Sequence, residues 1–463
     1  MQALGEDIKQ QTPANTLESL GYKEEFKRTM SLTDVVVYGL IYMCPMAPIA
    51  VFGFIYNSSN GMAALVYLVA AAAMVFSAIC YKEMAKRYPV AGSVYSYVRF
   101  GTNPFLGYAA GWAILLDYLL LPALLSSFSA SAMNGVWPAV PVWIWVVAFV
   151  IIAALINLGG ISLTATMNKI FLAIQLAVLV LFAGAVGIDL MNGTVVLSLK
   201  PFYDSATFSW TIVFGAIPIA ALSFVGFDAI STLNEDAKGG GETVSKATMI
   251  VLFAVAALFM AQVYLAALYI PQGTVFADGE PTNNAFYNVA GQAGGDWLRV
   301  IVTLTSALIA IFAGSIASMA TSSRLIFSMA RDGQLPRFIA AISPSRNTPR
   351  NAILIITALS LVIGLLGAEH LDVLTTLVTF GALTAYILLN IAVFYRFALA
   401  DRSRHLFQHW LSPVIGTAIL VYAIWHADPH AQTLGIIWMC VGFVLAGILK
   451  VRGGSGLRVG DVA

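Results

Sequence analysis

About twelve apolar segments, each long enough to cross a lipid bilayer, follow one another along this chain. A helix needs roughly 20 apolar residues to cross the hydrocarbon core, where every backbone N–H and C=O group must be hydrogen-bonded within the protein. The sequence therefore predicts an all-α membrane protein. We number the predicted spans in chain order as span 1, 32–55; span 2, 62–81; span 3, 102–128; span 4, 139–159; span 5, 166–188; span 6, 211–233; span 7, 246–270; span 8, 298–327; span 9, 351–367; span 10, 371–396; span 11, 410–427; and span 12, 433–450.

The composition excludes a soluble globular domain, because 59% of the residues are hydrophobic and only 10% are charged. Basic residues are concentrated in the two tails and in every second loop, whereas the alternate loops hold only Lys200 and Arg299. This asymmetry predicts a multi-pass protein of the cell (inner) membrane with a cytoplasmic N-terminal tail, 1–31, and a cytoplasmic C-terminal tail, 451–463. The basic inner face is interpreted as a determinant of topology and not as a site for nucleic acid.

Span 6 contains three residues that are unfavourable in a membrane helix. Pro218 has no N–H to donate, Gly226 costs about 1 kcal/mol relative to alanine, and a carboxylate such as Asp228 costs about 2.5 kcal/mol or more at mid-depth. A helix that tolerates all three is expected to line a polar cavity. The alternative is a kinked helix in which Asp228 pairs with a neighbouring side chain.

Span 1 carries Pro45 and Pro48 near its centre, which predicts a break between Cys44 and Ala50. Spans 1 and 6 occupy corresponding positions if the chain is divided into two halves of five spans. A pair of interrupted helices at corresponding positions is typical of a transporter whose substrate site lies between them. The alternative for span 1 is a simple proline kink.

Span 3 places Asp117 and Tyr118 inside an apolar run, where an isolated carboxylate is expected to face a cavity or a partner. The three cysteines all lie inside spans, and the sequence shows no metal-ligand spacing, no phosphate-binding loop and no nucleophile elbow. We therefore predict a transporter, without enzymatic activity, metal site or cofactor.

Several motifs together resemble one family: GLIYMCPM (39–46), YKEMAKRYPVAGSVYSY (81–97), GWAILLDYLLLP (111–122), SFVGFDAISTLNED (223–236) and SRLIFSMARDGQLP (323–336). The chain resembles the amino acid–polyamine–organocation permeases, and within them it is most similar to proton-coupled putrescine importers. The resemblance implies a five-plus-five inverted repeat of the leucine-transporter type, with spans 1 and 6 broken. The first repeat is expected over 32–188 and the second over 211–396, followed by spans 11 and 12 (410–450) as a support or association pair.

The resemblance also implies a substrate site between spans 1 and 6, flanked by spans 3, 8 and 10. In that reading Phe224 and Phe227 are candidate aromatic gates, although ordinary packing is the alternative for each aromatic side chain. Asp228 matches the family position associated with amine binding or proton sensing. The predicted substrate-binding residues are Tyr42, Pro45, Met46, Ala47, Asp117, Tyr118, Ser223, Phe224, Gly226, Phe227, Asp228 and Phe380.

The substrate prediction rests on departures from the family pattern. Many members have a glycine-rich run at the break of span 1 whose N–H groups hold a substrate carboxylate, but this chain has Ala47-Pro48-Ile49-Ala50. A substrate with amines and no carboxylate is therefore favoured, such as putrescine or a related polyamine. Against putrescine, span 1 lacks an aspartate that we associate with those importers. Gln175 stands where some proton-coupled members have lysine, which leaves carboxylates as the coupling groups.

A carboxyl group removed from water favours its neutral form, so Asp117 or Asp228 is predicted to carry a proton and release it during transport. Glu235 is a third candidate for coupling, or alternatively an inner-gate partner of Lys82, Arg87 or Arg324. The predicted activity is import of a small cationic amine by proton symport. An amino-acid uniporter, symporter or exchanger of the same family, an ion channel and a transport-like sensor remain alternatives, and the oligomeric state is left open.

Overall fold

The computed structural model describes residues 30–88, 93–160, 165–234, 237–331, 336–343 and 348–451. Within these ranges the chain is almost entirely helical. Ten continuous helices among the described residues are long and apolar enough to cross a membrane, and the bent span 1 makes an eleventh. The interrupted span 6 is the twelfth, as predicted.

The bounds of the spans follow in chain order. Span 1 comprises Leu32–Tyr42 and Ala47–Ser58, span 2 is Ala63–Arg87, span 3 is Pro104–Val136, span 4 is Val142–Gly159, span 5 is Ala165–Met191, and span 6 comprises Trp210–Ala221, Leu222–Phe224 and Phe227–Asn234. Span 7 is Gly241–Ala267, span 8 comprises Asp296–Leu304, Thr305–Ile311 and Phe312–Arg331, span 9 is Arg350–Gly367, span 10 comprises Leu371–Val393 and Phe394–Ala400, span 11 comprises Phe407–Leu411 and Ser412–Trp425, and span 12 is Pro429–Val451. Short helices also occur at Ser93–Gly101, Glu280–Asn283, Ala285–Gly294 and Arg337–Ala340.

The contacts between spans have the symmetry of an inverted repeat. Span 1 packs on span 6, span 2 on span 7, span 3 on span 8 and span 4 on span 9, so four helices of the first five contact their counterparts in the second five. The reciprocal pairs also occur, because span 2 contacts span 6 and span 7 contacts span 1. The five-plus-five, leucine-transporter-type fold is thus confirmed, and it brings the two broken helices together at the centre.

Two serines of span 8 donate hydrogen bonds to the backbone of span 3 around Pro122. A proline inside a helix leaves the carbonyl four residues earlier without its usual N–H donor. In span 3 that carbonyl belongs to Tyr118, and it accepts a hydrogen bond from the Ser322 hydroxyl of span 8. The carbonyl of Pro122 itself accepts from Ser126 Oγ at 2.8 Å and from Ser315 Oγ at 3.2 Å. Two hydroxyl groups of span 8 therefore bond to the backbone of span 3 around Pro122, close to Asp117.

Two tryptophans join span 12 to span 3. The indole N–H of Trp112 donates to the Trp438 carbonyl at 2.8 Å, and the indole N–H of Trp438 donates to the Trp112 carbonyl at 2.9 Å. Their rings stack with centroids 4.7 Å apart. Gly442 makes this approach possible, because a Cβ there would lie 2.3 Å from Trp112 ring atoms. Span 12 thus supports the helix that carries Asp117.

Removal of either indole N–H is expected to weaken the protein measurably. Each of Trp112→Phe and Trp438→Phe leaves one partly buried carbonyl without its donor, which costs about 1 kcal/mol. The double variant should lose less unfolding free energy than the two single variants together. The reason is that both single variants disturb the same ring stack, which is worth about 0.5–1.5 kcal/mol. Thermal unfolding in detergent measures this, with the exposed Trp143→Phe as control. Strictly additive losses would show that the two rings act independently.

Candidate functional site

A cavity of about 590 Å³ lies at the centre of the helix bundle. The broken parts of spans 1 and 6 form one side of it, and spans 3, 5 and 8 form the other. Its volume is within the range of small-molecule sites. The cavity is therefore where the fold of the chain places a candidate substrate site.

The break in span 1 is shorter than predicted and begins one residue earlier. The first half-helix ends at Tyr42 and the second begins at Ala47, with a bend of 47° between them. Cys44 has a positive φ of 50° in the connection. Pro48 lies in the first turn of the second half-helix, where its missing N–H is tolerated. The prediction of a break between Cys44 and Ala50 was correct in kind, but Ala47–Ala50 are helical.

Few N–H groups at this break are available to a substrate carboxylate. The Ala47 N–H donates to the Cys44 carbonyl at 2.9 Å, and the Ile49 N–H donates to the Met46 carbonyl at 3.1 Å. Pro45 and Pro48 have no N–H at all. The backbone here therefore lacks a row of free donors that would hold an anionic group.

Span 6 changes direction at Val225–Gly226, between two short 3-10 helices. Gly226 has φ of +110°, a conformation that only glycine adopts readily. A Cβ at this position would also lie 2.6 Å from Cδ1 of Tyr42. Gly226 thus allows the two broken helices to approach each other where they border the cavity.

Two buried carboxyl groups border the cavity. Asp117 is 3% exposed and Asp228 is 5% exposed. Asp228 Oδ1 accepts a hydrogen bond from the Tyr386 hydroxyl of span 10 at 3.1 Å. Asp117 Oδ1 has no hydrogen-bond partner among the described residues. Carboxyl groups so far removed from water need either a proton or a cation beside them.

Seven of the predicted site residues line the cavity: Tyr42, Ala47, Asp117, Tyr118, Ser223, Gly226 and Asp228. Tyr42 and Tyr118 border the same cavity as the two carboxyl groups. The structure brings these residues together from spans 1, 3 and 6. Glu235 lies outside the described residues, so the prediction of a coupling or gating role for it stays a prediction.

The other five predicted residues lie away from the cavity. Phe224 packs in a cluster with Phe259 and Tyr67, with centroids 5.2 and 6.1 Å away, and Phe227 packs against Tyr81 at 5.2 Å. Phe380 lies against the backbone of span 12, because a Cβ at Gly435 would lie 2.4 Å from its ring.

Pro45 and Met46 are also buried away from the cavity. The Pro45 carbonyl accepts a hydrogen bond from Gln262 of span 7 at 2.9 Å. In this conformation Pro45 and Met46 lie in the break of span 1, whereas their neighbours Met43, Cys44 and Ala47 line the cavity.

The sequence analysis assigned no site role to three polar residues that lie at or beside the cavity. The hydroxyl of Tyr386 in span 10 donates to Asp228 Oδ1. Gln175 of span 5 lines the cavity and accepts a hydrogen bond from the Cys44 thiol at 3.5 Å. Asn157 of span 4 also lines it and donates to the Ile316 carbonyl of span 8 at 3.2 Å. A polar side chain within an apolar span was the available signal in each case.

The cavity opens toward the end of the molecule where span 1 begins. Its lining continues to Gly160 and Arg324, which are exposed at that end. Toward the opposite end Phe286 packs against Phe52 at 5.6 Å and against Phe182 at 4.9 Å. The side chain of Asn57 also exchanges two hydrogen bonds with the backbone of Phe276, each 2.9 Å long. One end is thus closed by packed aromatic rings and the other is accessible.

Comparison with known proteins agrees with this architecture. The profile of the amino acid permease family matches residues 33–448. The low-affinity putrescine importer PlaP of Escherichia coli (strain K12) is 29% identical over 432 residues, which are 91% of this chain and 93% of the relative.

Other relatives of similar length are named for different substrates. The branched-chain amino acid permease BcaP of Bacillus subtilis (strain 168) is 25% identical over 402 residues, 82% of this chain and 83% of BcaP. The methylthioribose transporter of the same organism is 25% identical over 463 residues, 93% of this chain and 95% of the relative. These relatives are transporters, and the family match covers nearly the whole membrane region. The chain is a multi-pass membrane protein that belongs to the amino acid permease family.

Proposed function

We propose that this protein imports a small organic amine, putrescine or a related polyamine, by proton symport. The observation that carries the proposal is the presence of two buried carboxyl groups, Asp117 and Asp228, on one central cavity. A cation that enters such a cavity loses its water and needs anionic or π-electron partners in exchange. Asp117 and Asp228 are the two groups that can supply a negative charge to the cation, and the rings of Tyr42 and Tyr118 supply faces worth about 0.5–2 kcal/mol each.

The break in span 1 supports an amine without a carboxylate. Amino-acid substrates carry a carboxylate that has to be held by donors, and here the Ala47 and Ile49 N–H groups are already bonded to backbone carbonyls. The similarity to the putrescine importer PlaP points in the same direction. The similarity to BcaP favours a branched-chain amino acid instead, and this is the second candidate.

Proton coupling is assigned to the same two carboxyl groups. Gln175 borders the cavity but does not titrate, so the side chain at this position of span 5 provides no coupling proton. In the proposed cycle a proton neutralises one carboxyl group while the amine binds the other, and spans 1 and 6 then rock against the remaining helices. Both termini and the accessible end of the cavity face the cytoplasm in this proposal.

Ligand-dependent thermal stability of the purified protein tests the substrate class. A ligand that binds only the folded state at about 100 times its Kd stabilises that state by about 2.7 kcal/mol. We expect putrescine, cadaverine or agmatine to raise the unfolding temperature and neutral amino acids to leave it unchanged. Asp117→Asn should reduce the shift. A shift with leucine, isoleucine or valine alone would replace the amine proposal by the amino-acid one.

A further inference from the structure

A single basic side chain borders the cavity at its accessible end. Among the described residues that line the cavity, Arg324 of span 8 is the one basic residue, and it is exposed. The other titratable side chains of the lining belong to aspartate, tyrosine and cysteine, and the two aspartates, Asp117 and Asp228, are buried. The cavity therefore has its acidic groups in the interior and its basic group at the mouth.

The hydrogen bonds of span 8 fix the depth of Arg324. Ser318 and Arg324 both line the cavity, and the side nearer the interior is buried, because Ser318 is only 4% exposed. Ser322, between them, donates to the carbonyl of Tyr118, the residue that follows Asp117 in span 3. Arg324 comes two residues later, which is about 3 Å of helix rise. The charge of Arg324 thus lies between the level of Asp117 and the accessible end.

No acidic side chain of the described ranges neutralises Arg324. The ion pairs of these ranges all join other groups. Glu235, named above as a candidate partner, lies outside the described residues. A guanidinium group stays charged under all ordinary conditions. The positive-inside preference accounts for a basic residue at this end of a span, but it does not require that residue on the wall of the cavity.

We infer that Arg324 promotes release of the cationic substrate through the accessible end and opposes its return. Charges of the same sign repel each other, and the low permittivity of the walls of a cleft strengthens this repulsion. A cation bound in the cavity is therefore held less tightly in this conformation than it would be without Arg324. The guanidinium acts through space and does not need to touch the substrate. The inference rests on the proposed import of an amine, because it uses the charge of that substrate.

The role of Arg324 concerns affinity and rate, and not the final distribution of the substrate. In a tightly coupled carrier the ratio of internal to external substrate at steady state is set by the gradients that drive transport, so no single side chain changes it. A lower affinity at the accessible end shortens the time for which the amine occupies the site. It also weakens inhibition by amine that has already accumulated on that side of the membrane.

Removal of the charge is expected to tighten the binding of cations in proportion to their charge. At a separation on the order of 10 Å and an effective permittivity of about 20 to 80, a monocation should bind about two- to tenfold more tightly to Arg324→Gln than to the wild type. A dication such as putrescine should gain more. The gain should disappear between about 0.01 M and about 1 M salt, because the Debye length falls from about 30 Å to about 3 Å. Arg324→Lys keeps the charge and should bind like the wild type.

Isothermal titration calorimetry on the full-length protein in detergent measures these affinities. Putrescine and butylamine, which have the same carbon chain but two and one ammonium groups, are titrated at low and high salt into the wild type, Arg324→Gln and Arg324→Lys. The control is Arg404→Gln, which removes an exposed arginine outside the cavity lining. Tighter binding by Arg324→Gln alone, at low salt and more for putrescine than for butylamine, would support the inference. In proteoliposomes, less internal putrescine should then inhibit this variant, and its final accumulation should equal that of the wild type.

The outcomes separate this inference from the proposed function. If the wild type binds both amines and Arg324→Gln binds them no more tightly at low salt, the role of Arg324 is overturned and amine import stands. The role is likewise overturned if Arg324→Lys behaves like Arg324→Gln, because the shape of the side chain and not its charge would then matter. If the wild type binds leucine but neither amine, the proposed substrate is wrong, and the role of Arg324 in its release is lost with it.

Discussion

Asp228→Asn is expected to abolish amine uptake while leaving a folded protein. The substitution preserves the shape of the side chain and retains an oxygen that accepts from the Tyr386 hydroxyl. It removes the charge and replaces the second carboxylate oxygen by an NH2 donor. A buried cation that loses its anionic partner is destabilised by about 3–5 kcal/mol. Because about 1.4 kcal/mol corresponds to a tenfold change, uptake at subsaturating putrescine should fall by roughly two to three orders of magnitude.

A matched aspartate provides the control for this variant. Asp189 near the C-terminal end of span 5 also accepts a hydrogen bond from a tyrosine, because the Tyr269 hydroxyl donates to its Oδ2 at 2.6 Å. Asp189→Asn removes a charge from a similar pair outside the cavity, and its uptake should stay within about twofold of wild type, as surface substitutions usually do. Initial rates in proteoliposomes give both values. Uptake by Asp228→Asn at the wild-type rate would remove Asp228 from the mechanism.

The sequence was sufficient to predict the fold and the residues that are unfavourable in a membrane. Pro218, Gly226, Asp228 and Asp117 carry a free-energy cost in an apolar helix that their positions alone reveal. The structure places Gly226 at a real break and both aspartates on the cavity. Residues of this kind are recognised without a structure, because inside a bilayer they are tolerated mainly where they face a cavity or a polar partner.

The direction of aromatic side chains was not predictable in the same way. A phenylalanine is equally compatible with a cavity wall, a helix contact and the lipid, so its position in the sequence carries little information. Phe224 and Phe227 flank the turn at Val225–Gly226, and the dihedral angles of that turn decide which way each ring points. The position of the Phe380 ring depends on Gly435, which lies more than fifty residues later in the sequence. Because Gly435 has no side chain, it leaves room for the ring against span 12. Long-range packing of this sort requires coordinates.

Tyr386 was missed for a related reason. Its hydroxyl matters because span 10 brings it to Asp228 across 158 positions of sequence, a proximity that helical periodicity does not encode. Span 12 was interpreted as a support or association helix, and its reciprocal bonds with Trp112 show that it supports span 3.

Gly226→Ala is expected to have the second large effect, because two independent costs coincide at this position. The φ of +110° lies beyond the left-handed region that other residues occasionally adopt, and such strain costs about 1–3 kcal/mol. The added methyl group would also lie 2.6 Å from Cδ1 of Tyr42, so either the ring or the backbone has to move. Both changes widen the junction between spans 1 and 6 on which Asp228 depends.

We expect Gly226→Ala to lower uptake at least tenfold and to reduce the thermal shift caused by putrescine. Gly184→Ala in span 5 is the matched control, because a Cβ there meets nothing within 4 Å and alanine is the better helix former. Combining Gly226→Ala with Tyr42→Ala separates the two costs, since the smaller side chain removes the collision and leaves the backbone strain. Partial recovery of the thermal shift in the double variant would identify the collision as the larger cost, whereas no recovery would identify the backbone. If Gly226→Ala itself binds and transports like wild type, span 6 does not need this turn, and the site between the two broken helices has to be sought in another conformation.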